Sequence, residues 1–190
     1  MALEIELKFR ANKDTLDTLR RDIPGEENIF HMHTTYYDAV DGALSAKKYT
    51  LRRRMENGTS VCTLKTPADG LGRKEFEVVC DTIEEALPML CKLSGIAELE
   101  SISLKEVCGA KFTRIAKTFC WQGATMELAL DQGQLYGGGK TLPLCEVEVE
   151  LKEGSQEAVL AYGAFLAAAY GLVPEKASKF RRGLALYRGE

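Results

Sequence analysis

Three short stretches of this chain alternate charged and apolar residues almost strictly. They are Glu4-Ile5-Glu6-Leu7-Lys8, Arg73-Lys74-Glu75-Phe76-Glu77-Val78-Val79 and Glu146-Val147-Glu148-Val149-Glu150-Leu151-Lys152. A β-strand sends successive side chains to opposite faces, so each stretch makes a strand charged on one face and apolar on the other. Glu4, Glu6 and Lys8 then share a face, as do Glu146, Glu148 and Glu150. Carboxylates two residues apart on one face repel each other. They are tolerated where water screens them or cations neutralise them.

The bulk numbers narrow the possibilities. A chain of 190 residues, 45% hydrophobic and 28% charged, fits one globular domain, and no linker or repeat divides residues 1–190. A net charge of −3 gives no overall basic field, so neither nucleic acid nor a membrane is expected as a partner. No apolar run approaches the ~20 residues that span a bilayer. The N-terminus enters a charged strand at once, which predicts no signal peptide and a cytoplasmic protein. The six cysteines are scattered without a CxxC pair, as expected for buried reduced thiols rather than a zinc site or a disulfide framework.

Along the chain, residues 2–10 read as a strand, and a helix capped by Asn12 or Asp14 runs to about Asp22. Strands are expected over His33–Asp38, Lys48–Met55, Thr59–Lys65 and Arg73–Cys80, the middle two forming a hairpin about Asn57-Gly58. Pro67–Gly72 reads as a flexible loop, Thr82–Leu93 as a helix containing Pro88, and residues 101–108 are ambiguous. Strands follow at Lys111–Trp121, Ala124–Asp131 and Leu142–Lys152, then helices over 155–170 and about Ala177–Tyr187. The total, about eight strands and four helices, places the chain in the α+β class with an antiparallel sheet. Such a sheet has two solutions. It stays open with its charged face in water, or it closes into a barrel with a polar interior and helices packed outside.

The cations obey the same parity. Arg52 and Arg54 share one face of their strand, with Arg53 opposite, and Lys65 shares a face with Thr63. Some polar faces therefore carry carboxylates and others cations, whereas an ordinary wet surface intersperses the signs. An acidic wall opposite a basic wall suits a polyanion held with a divalent metal. Carboxylates take Mg2+ or Mn2+, and Arg and Lys take phosphate oxygens. Gly137-Gly138-Gly139-Lys140 does not match the GxxxxGK[ST] phosphate loop and reads as a hairpin turn. His31 and His33 read as strand-edge or loop residues without a metal role.

These residues resemble, in order, the motifs of the CYTH superfamily, the triphosphate tunnel metalloenzymes. The matching elements are Glu4-x-Glu6-x-Lys8, Tyr36-Tyr37-Asp38, Leu51-Arg52-Arg53-Arg54 with Thr63-Leu64-Lys65, and Arg73-x-Glu75-x-Glu77. Arg114, Leu130-Asp131-Gln132-Gly133, Glu146-Val147-Glu148 and Ser178-Lys179 with Arg182-Gly183 complete the series. The resemblance implies an eight-stranded antiparallel β-barrel, charged inside. It assigns Glu4, Glu6, Asp131, Glu146 and Glu148 to metal, with Glu148 and Glu150 as the alternative pair on the last strand. It assigns Arg52, Arg54, Lys65, Arg73, Arg114, Lys176, Lys179 and Arg182 to phosphate, with Glu75 in support. Lys8 falls beside the attacking water; two flanking glutamates oppose its deprotonation, so it is expected to orient the water rather than act as base.

The expected activity is divalent-metal-dependent hydrolysis of inorganic triphosphate or a related triphosphate. The family also implies adenylyl cyclase of the class IV type, thiamine triphosphatase, or a non-catalytic polyphosphate- or nucleotide-binding module as alternatives. The apolar helix over 155–170 is expected to pack on the sheet and offers a homodimer contact.

Overall fold

The alternating stretches do form strands, and they join one large antiparallel sheet. The computed structural model describes residues 2–69 and 72–190, so the loop expected over Pro67–Gly72 lies partly outside the described residues. The first elements are β1 (Ala2–Glu4), β2 (Glu6–Arg10), α1 (Lys13–Asp22), β3 (Glu27–Ala39), α2 (Ala43–Ala46), β4 (Thr50–Glu56), β5 (Thr59–Pro67), β6 (Arg73–Val79) and α3 (Ile83–Ser94). A short 3-10 turn, Ala97–Glu100, leads to β7 (Leu104–Trp121), β8 (Ala124–Gly137), β9 (Lys140–Glu153), α4 (Gln156–Tyr170), β10 (Val173–Pro174) and α5 (Lys179–Arg188).

The strand order is β1-β6-β5-β4-β3-β7-β8-β9-β2-β10. The eight-stranded closed barrel is therefore corrected: the sheet has ten strands, and its hydrogen-bonded order is open, with β1 and β10 at the ends. Part of the difference is one residue. The strand expected over 2–10 breaks at Ile5, whose carbonyl accepts the Leu151 N–H at 2.9 Å. Before the break the chain pairs with β6, placing Glu4 opposite Arg73; after it the chain pairs with β9, placing Lys8 opposite Glu148. The two flanks of the sheet are thus tied through consecutive residues, although among the described residues no ladder joins them. The other added strand, β10, pairs with β2.

Turn chemistry sets the registers. Asn57 (φ 47) and Gly58 (φ 93) both take the left-handed conformation that a two-residue hairpin requires, and Gly138-Gly139 (φ 57 and 74) does the same between β8 and β9. Each of four helices begins at a capping side chain: Asn12, Thr82, Ser155 and Ser178 each accept a backbone N–H of the first turn. Pro88 sits inside α3 and is accommodated there.

The apolar faces bury chiefly in two large clusters. Phe9, Leu128, Val147 and Val149 pack with Leu16 and Leu19 of α1 and Val159, Tyr162 and Leu166 of α4. Leu51, Cys62, Leu64 and Phe76 pack with Leu44 of α2 and Ile83, Leu87 and Leu90 of α3. The opposite, charged face is buried too: Glu146 and Glu148 of β9 are 0% and 8% exposed beside Val147 and Val149 at 0%. Water does not screen this face. Helix α5 lies against β7 and β8 there, seated by Phe180 and Leu184 on Tyr36, Val107 and Cys108. The seat requires Gly183, since a Cβ at that position would stand 2.8 Å from the Cys108 sulfur. All six cysteines are free, with Cys62, Cys91 and Cys108 buried and Cys120 exposed. No helix among the described residues is long and apolar enough to cross a membrane.

Candidate active site

The charged faces of β1, β2, β4, β5, β6, β7 and β9, with the start of α5, enclose a cavity of about 260 Å3. Eight cationic side chains line it: Lys8, Arg52, Arg54, Lys65, Arg73, Arg114, Lys152 and Lys179. Six carboxylates face them: Glu4, Glu6, Glu75, Glu77, Glu148 and Glu150, leaving a lining charge of +2. Tyr36, Thr50, Ser178 and Phe180 complete the wall.

Register places these groups. Arg52 on β4 stands between Tyr36 of β3 and Thr63 of β5, and Arg54 stands between Thr34 and Val61. Arg53 points away and donates to Ser60 Oγ at 2.9 Å, as parity predicts. On the other flank, Lys8 lies opposite Glu148, Glu6 opposite Glu150, and Arg114 opposite Asp131.

The cations of β4 are loosely partnered. The guanidinium of Arg52 is 3.4 Å from Glu75 and 3.8 Å from Glu77, and its Nε is buried without a partner. Arg54 reaches Glu56 at 3.3 Å and Thr34 Oγ1 at 3.2 Å. Burial, Arg52 and Arg114 push the Arg54 guanidinium below its ordinary value, which still leaves it charged. Lys65 is taken up by Glu4 at 2.5 Å and lies 3.2 Å from Glu75.

Behind the cavity is a second, tighter cluster. Asp131, Glu146 and Glu148 bring carboxylate oxygens within 4.8 Å of one another, and the Lys179 amino group stands among them, 2.8 Å from Asp131, 2.7 Å from Glu148 and in contact with Glu146. Arg114 binds Asp131 through two 2.7 Å hydrogen bonds and also touches Glu148, while Arg182 touches Glu146. Burial opposes the Lys179 charge, but Asp131, Glu148 and Glu146 outweigh it and raise its pKa. Burial likewise works against the charge of Glu148, and Lys179, Arg114 and Lys8 hold it well below the usual carboxylate range. Glu146 is pushed up to about 7 by burial.

Of the expected site residues, Glu4, Glu6, Lys8, Arg52, Arg54, Lys65, Arg73, Glu75, Arg114, Glu148 and Lys179 meet at the cavity. Asp131 and Glu146 do not line it; both are 0% exposed and bound to Arg114, Lys179 and Arg182. Arg182 is spent on Glu146, and Lys176 lies on a neighbouring cavity. On β9 the cavity is lined by Glu148 and Glu150, the alternative pair, because Glu146 is one register step further under α5. Sequence reasoning named Glu77 and Tyr36 as motif positions without a site role and gave none to Lys152 or Phe180; Glu77 and Lys152 share strand parity with Glu75 and Glu150, which was the available signal.

Two sets of carboxylates offer the hard oxygen donors that a divalent cation takes: Asp131, Glu146 and Glu148, whose oxygens converge within 4.8 Å, and Glu4, Glu6, Glu148 and Glu150 on the cavity wall. Burial, with Glu4 and Glu127 nearby, raises the Glu150 pKa despite Lys152, so its charge is under-compensated. Lys8 is 2.6 Å from Glu6, and though burial opposes its charge, Glu6 and Glu148 raise its pKa.

The chain is 31% identical over 167 residues to an inorganic triphosphatase of Haemophilus influenzae; the match covers 84% of this chain but 47% of that protein, so the chain spans about half the length of this curated relative. Among solved structures it resembles a Hippeastrum protein described as a candidate adenylyl cyclase with a dominant triphosphatase activity (TM-score 0.69, 19% identity, 100% of this chain and 96% of that one). It also resembles a Pyrococcus horikoshii protein (TM-score 0.62, 21% identity, 94% and 97% covered). The profile described as CYTH domain matches residues 2–184, and on that match, with the fold and the ordered motifs in agreement, the chain belongs to the CYTH domain family.

Proposed function

We propose that this chain hydrolyses inorganic triphosphate, or a related triphosphate, in the charged cavity with the help of a divalent cation. The observation that carries the reading is the imbalance of the lining: eight cations against six carboxylates in one cavity, with Arg52 and Arg54 loosely paired. A triphosphate carries about four negative charges, more than a +2 lining neutralises, and a divalent cation on the carboxylates makes up the difference. The similarity to an inorganic triphosphatase supports the same substrate class.

Arg52, Arg54 and Arg114 take non-bridging phosphate oxygens, since guanidinium forks suit them, and Lys65 and Lys179 add point charge. Glu4, Glu6, Glu148 and Glu150 would hold the cation, which when bound supplies polarised phosphate oxygens and a more acidic water. Lys8 stays an ammonium beside Glu6, so it orients the attacking water and stabilises charge rather than removing a proton. Water's oxygen forms a new bond to the terminal phosphorus, the bridging P–O bond breaks with its electron pair leaving on pyrophosphate, and water's proton passes to solvent or product.

The two aromatic residues of the cavity, Tyr36 and Phe180, pack on each other with centroids 5.4 Å apart and are 4% and 5% exposed. They leave no ring face to sandwich adenine, which favours hydrolysis over cyclisation. The test is product identification after incubation with Mg2+ or Mn2+ and inorganic triphosphate, ATP or thiamine triphosphate. Phosphate and pyrophosphate from inorganic triphosphate are expected. Cyclic AMP as the main product from ATP, or metal-dependent binding with no turnover of any substrate, would overturn the proposal.

A further inference from the structure

Phe112 is an apolar residue on the charged face of β7. It lies two positions before Arg114, so the two side chains leave the strand on the same side. It is 5% exposed and packs with Met32, Ala110, Leu135 and Leu144. Aliphatic neighbours of this kind seal a cluster against water; an aromatic ring also offers a face to charge. The Lys179 amino group stands over the ring at 5.4 Å from its centroid, and the Arg114 guanidinium carbon at 5.8 Å. Both lie within the ~6 Å at which a cation is drawn to the electron-rich face of a ring.

These are the two cations that serve both the buried cluster and the cavity. Arg114 gives Asp131 two hydrogen bonds and touches Glu148, while Lys179 divides its amino group among Asp131, Glu146 and Glu148. Both also line the cavity. Both are largely buried, so water screens an attraction to the ring only weakly. The flat face of a guanidinium donates no hydrogen bond and is weakly hydrated. A ring therefore holds it without competing for the N–H groups that Asp131, Glu148 and a phosphate need. A polar acceptor in place of the ring would draw those N–H groups away.

The neighbouring strand is shaped to match. Phe112 pairs with Gly133 of β8, where a Cβ would stand 2.5 Å from the Phe112 Cα and 2.6 Å from its Cβ. Arg114 pairs with Asp131, two residues earlier on the same strand. One ladder thus supplies a carboxylate for the guanidinium and a gap for the ring beside it.

We infer that Phe112 is a positioning residue: its ring holds the Lys179 ammonium and the Arg114 guanidinium in place and so sets the charge that meets the phosphates. The inference rests on the reading that the cavity takes a triphosphate. Phe112 is not part of the cavity wall, so it acts through the two cations.

The test replaces Phe112 in the full chain with mono-, di- and trifluorophenylalanine, and separately by Phe112→Leu. Each fluorine draws electron density from the ring face while nearly keeping the ring's shape. Two quantities are read: kcat and KM on inorganic triphosphate with Mg2+, and the melting temperature of the chain without ligand. Both kcat/KM and the melting temperature should fall stepwise with fluorine number. Phe112→Leu should lose about tenfold in kcat/KM, mostly as a higher KM, because the phosphate-binding cations are displaced. A ring that merely fills space predicts the opposite, since fluorine makes it more apolar and leaves the melting temperature unchanged or higher. A flat or rising melting series would overturn the inference, as would one equal loss at every degree of fluorination or full activity in Phe112→Leu. A stepwise melting series with unchanged kcat/KM would reduce the ring to a structural role and overturn it as well. A chain that binds triphosphate without cleaving it is read by calorimetric affinity in place of kcat/KM. A chain that neither binds nor cleaves triphosphate sinks the substrate reading, and the melting series alone then decides whether the ring holds the two cations.

Discussion

At the scale of single residues, β9 separates two kinds of carboxylate that share one face. Glu148 and Glu150 line the cavity, whereas Glu146 is 0% exposed and bound to Lys179 and Arg182. Glu150→Gln should therefore remove most activity with little change in melting temperature. Glu146→Gln takes from the half-buried Arg182 its close carboxylate and from the buried Lys179 one of three, and should destabilise the fold by ~1–3 kcal/mol. Thermal melts and turnover on the same two proteins check this; loss of activity at unchanged stability for Glu146→Gln would restore the 146 and 148 pair. Arg54→Ala removes charge-assisted contacts of ~1.5–3 kcal/mol, which predicts a rise in KM for triphosphate of about 10- to 100-fold. The apparent metal affinity should change far less, and an equal loss of both would contradict its place on the phosphate wall. Parity made Arg52, Arg54 and Glu148 legible from the chain alone, because alternation fixes faces. It could not separate Glu146 from Glu150, since all three share one face and only the position of α5 tells them apart.

At the scale of elements, α5 closes the site from the side, and its position depends on a close approach rather than on sheet pairing. Lys179, its first residue, reaches Asp131, Glu146 and Glu148 only while Gly183 sits on Cys108. Gly183→Ala places a methyl group 2.8 Å from that sulfur, an overpacking that costs ~1–3 kcal/mol. The expected outcome is a lower melting temperature together with lower kcat, since Lys179 moves with the helix; a stable but fully active variant would show that α5 does not position the site. Ser178→Ala should act through the lost cap alone, at ~1 kcal/mol. Caps, the Asn57-Gly58 turn and the alternating strands were readable locally, and so the hairpin about that turn, α1, α4 and α5 fall where the chain predicts. The break at Ile5, the short α2 and β10 were not. Each is set by what the segment meets in space: Ile5 meets Leu151 of β9, and Val173 pairs with Arg10. A count of local signals has no access to such partners.

At the scale of the whole molecule, the sheet's two flanks are tied at Ile5 and share one excess of charge between them. The cations of β4 belong to the flank packed on α3, and Glu148 and Glu150 belong to the flank packed on α4. A triphosphate held by the first flank and a cation held by the second would bridge the two halves, so binding adds a link that the bare chain lacks. A ligand that binds only the folded state at one hundred times its Kd stabilises by about 2.7 kcal/mol. For a chain of this size ~2–4 °C per kcal/mol is expected, which gives a rise of about 5–10 °C. Because the lining charge alone is too small to neutralise a triphosphate, triphosphate with Mg2+ or Mn2+ should raise the melting temperature by more than the separate effects of each combined. Removing the metal with a chelator should return the melting temperature to the triphosphate-only value. Glu148→Gln should abolish the synergy while retaining part of the triphosphate effect, and Arg54→Ala should do the reverse. Strictly additive shifts in the unaltered protein would mean that metal and phosphate occupy separate places, and the cavity would then not be a joint site for both.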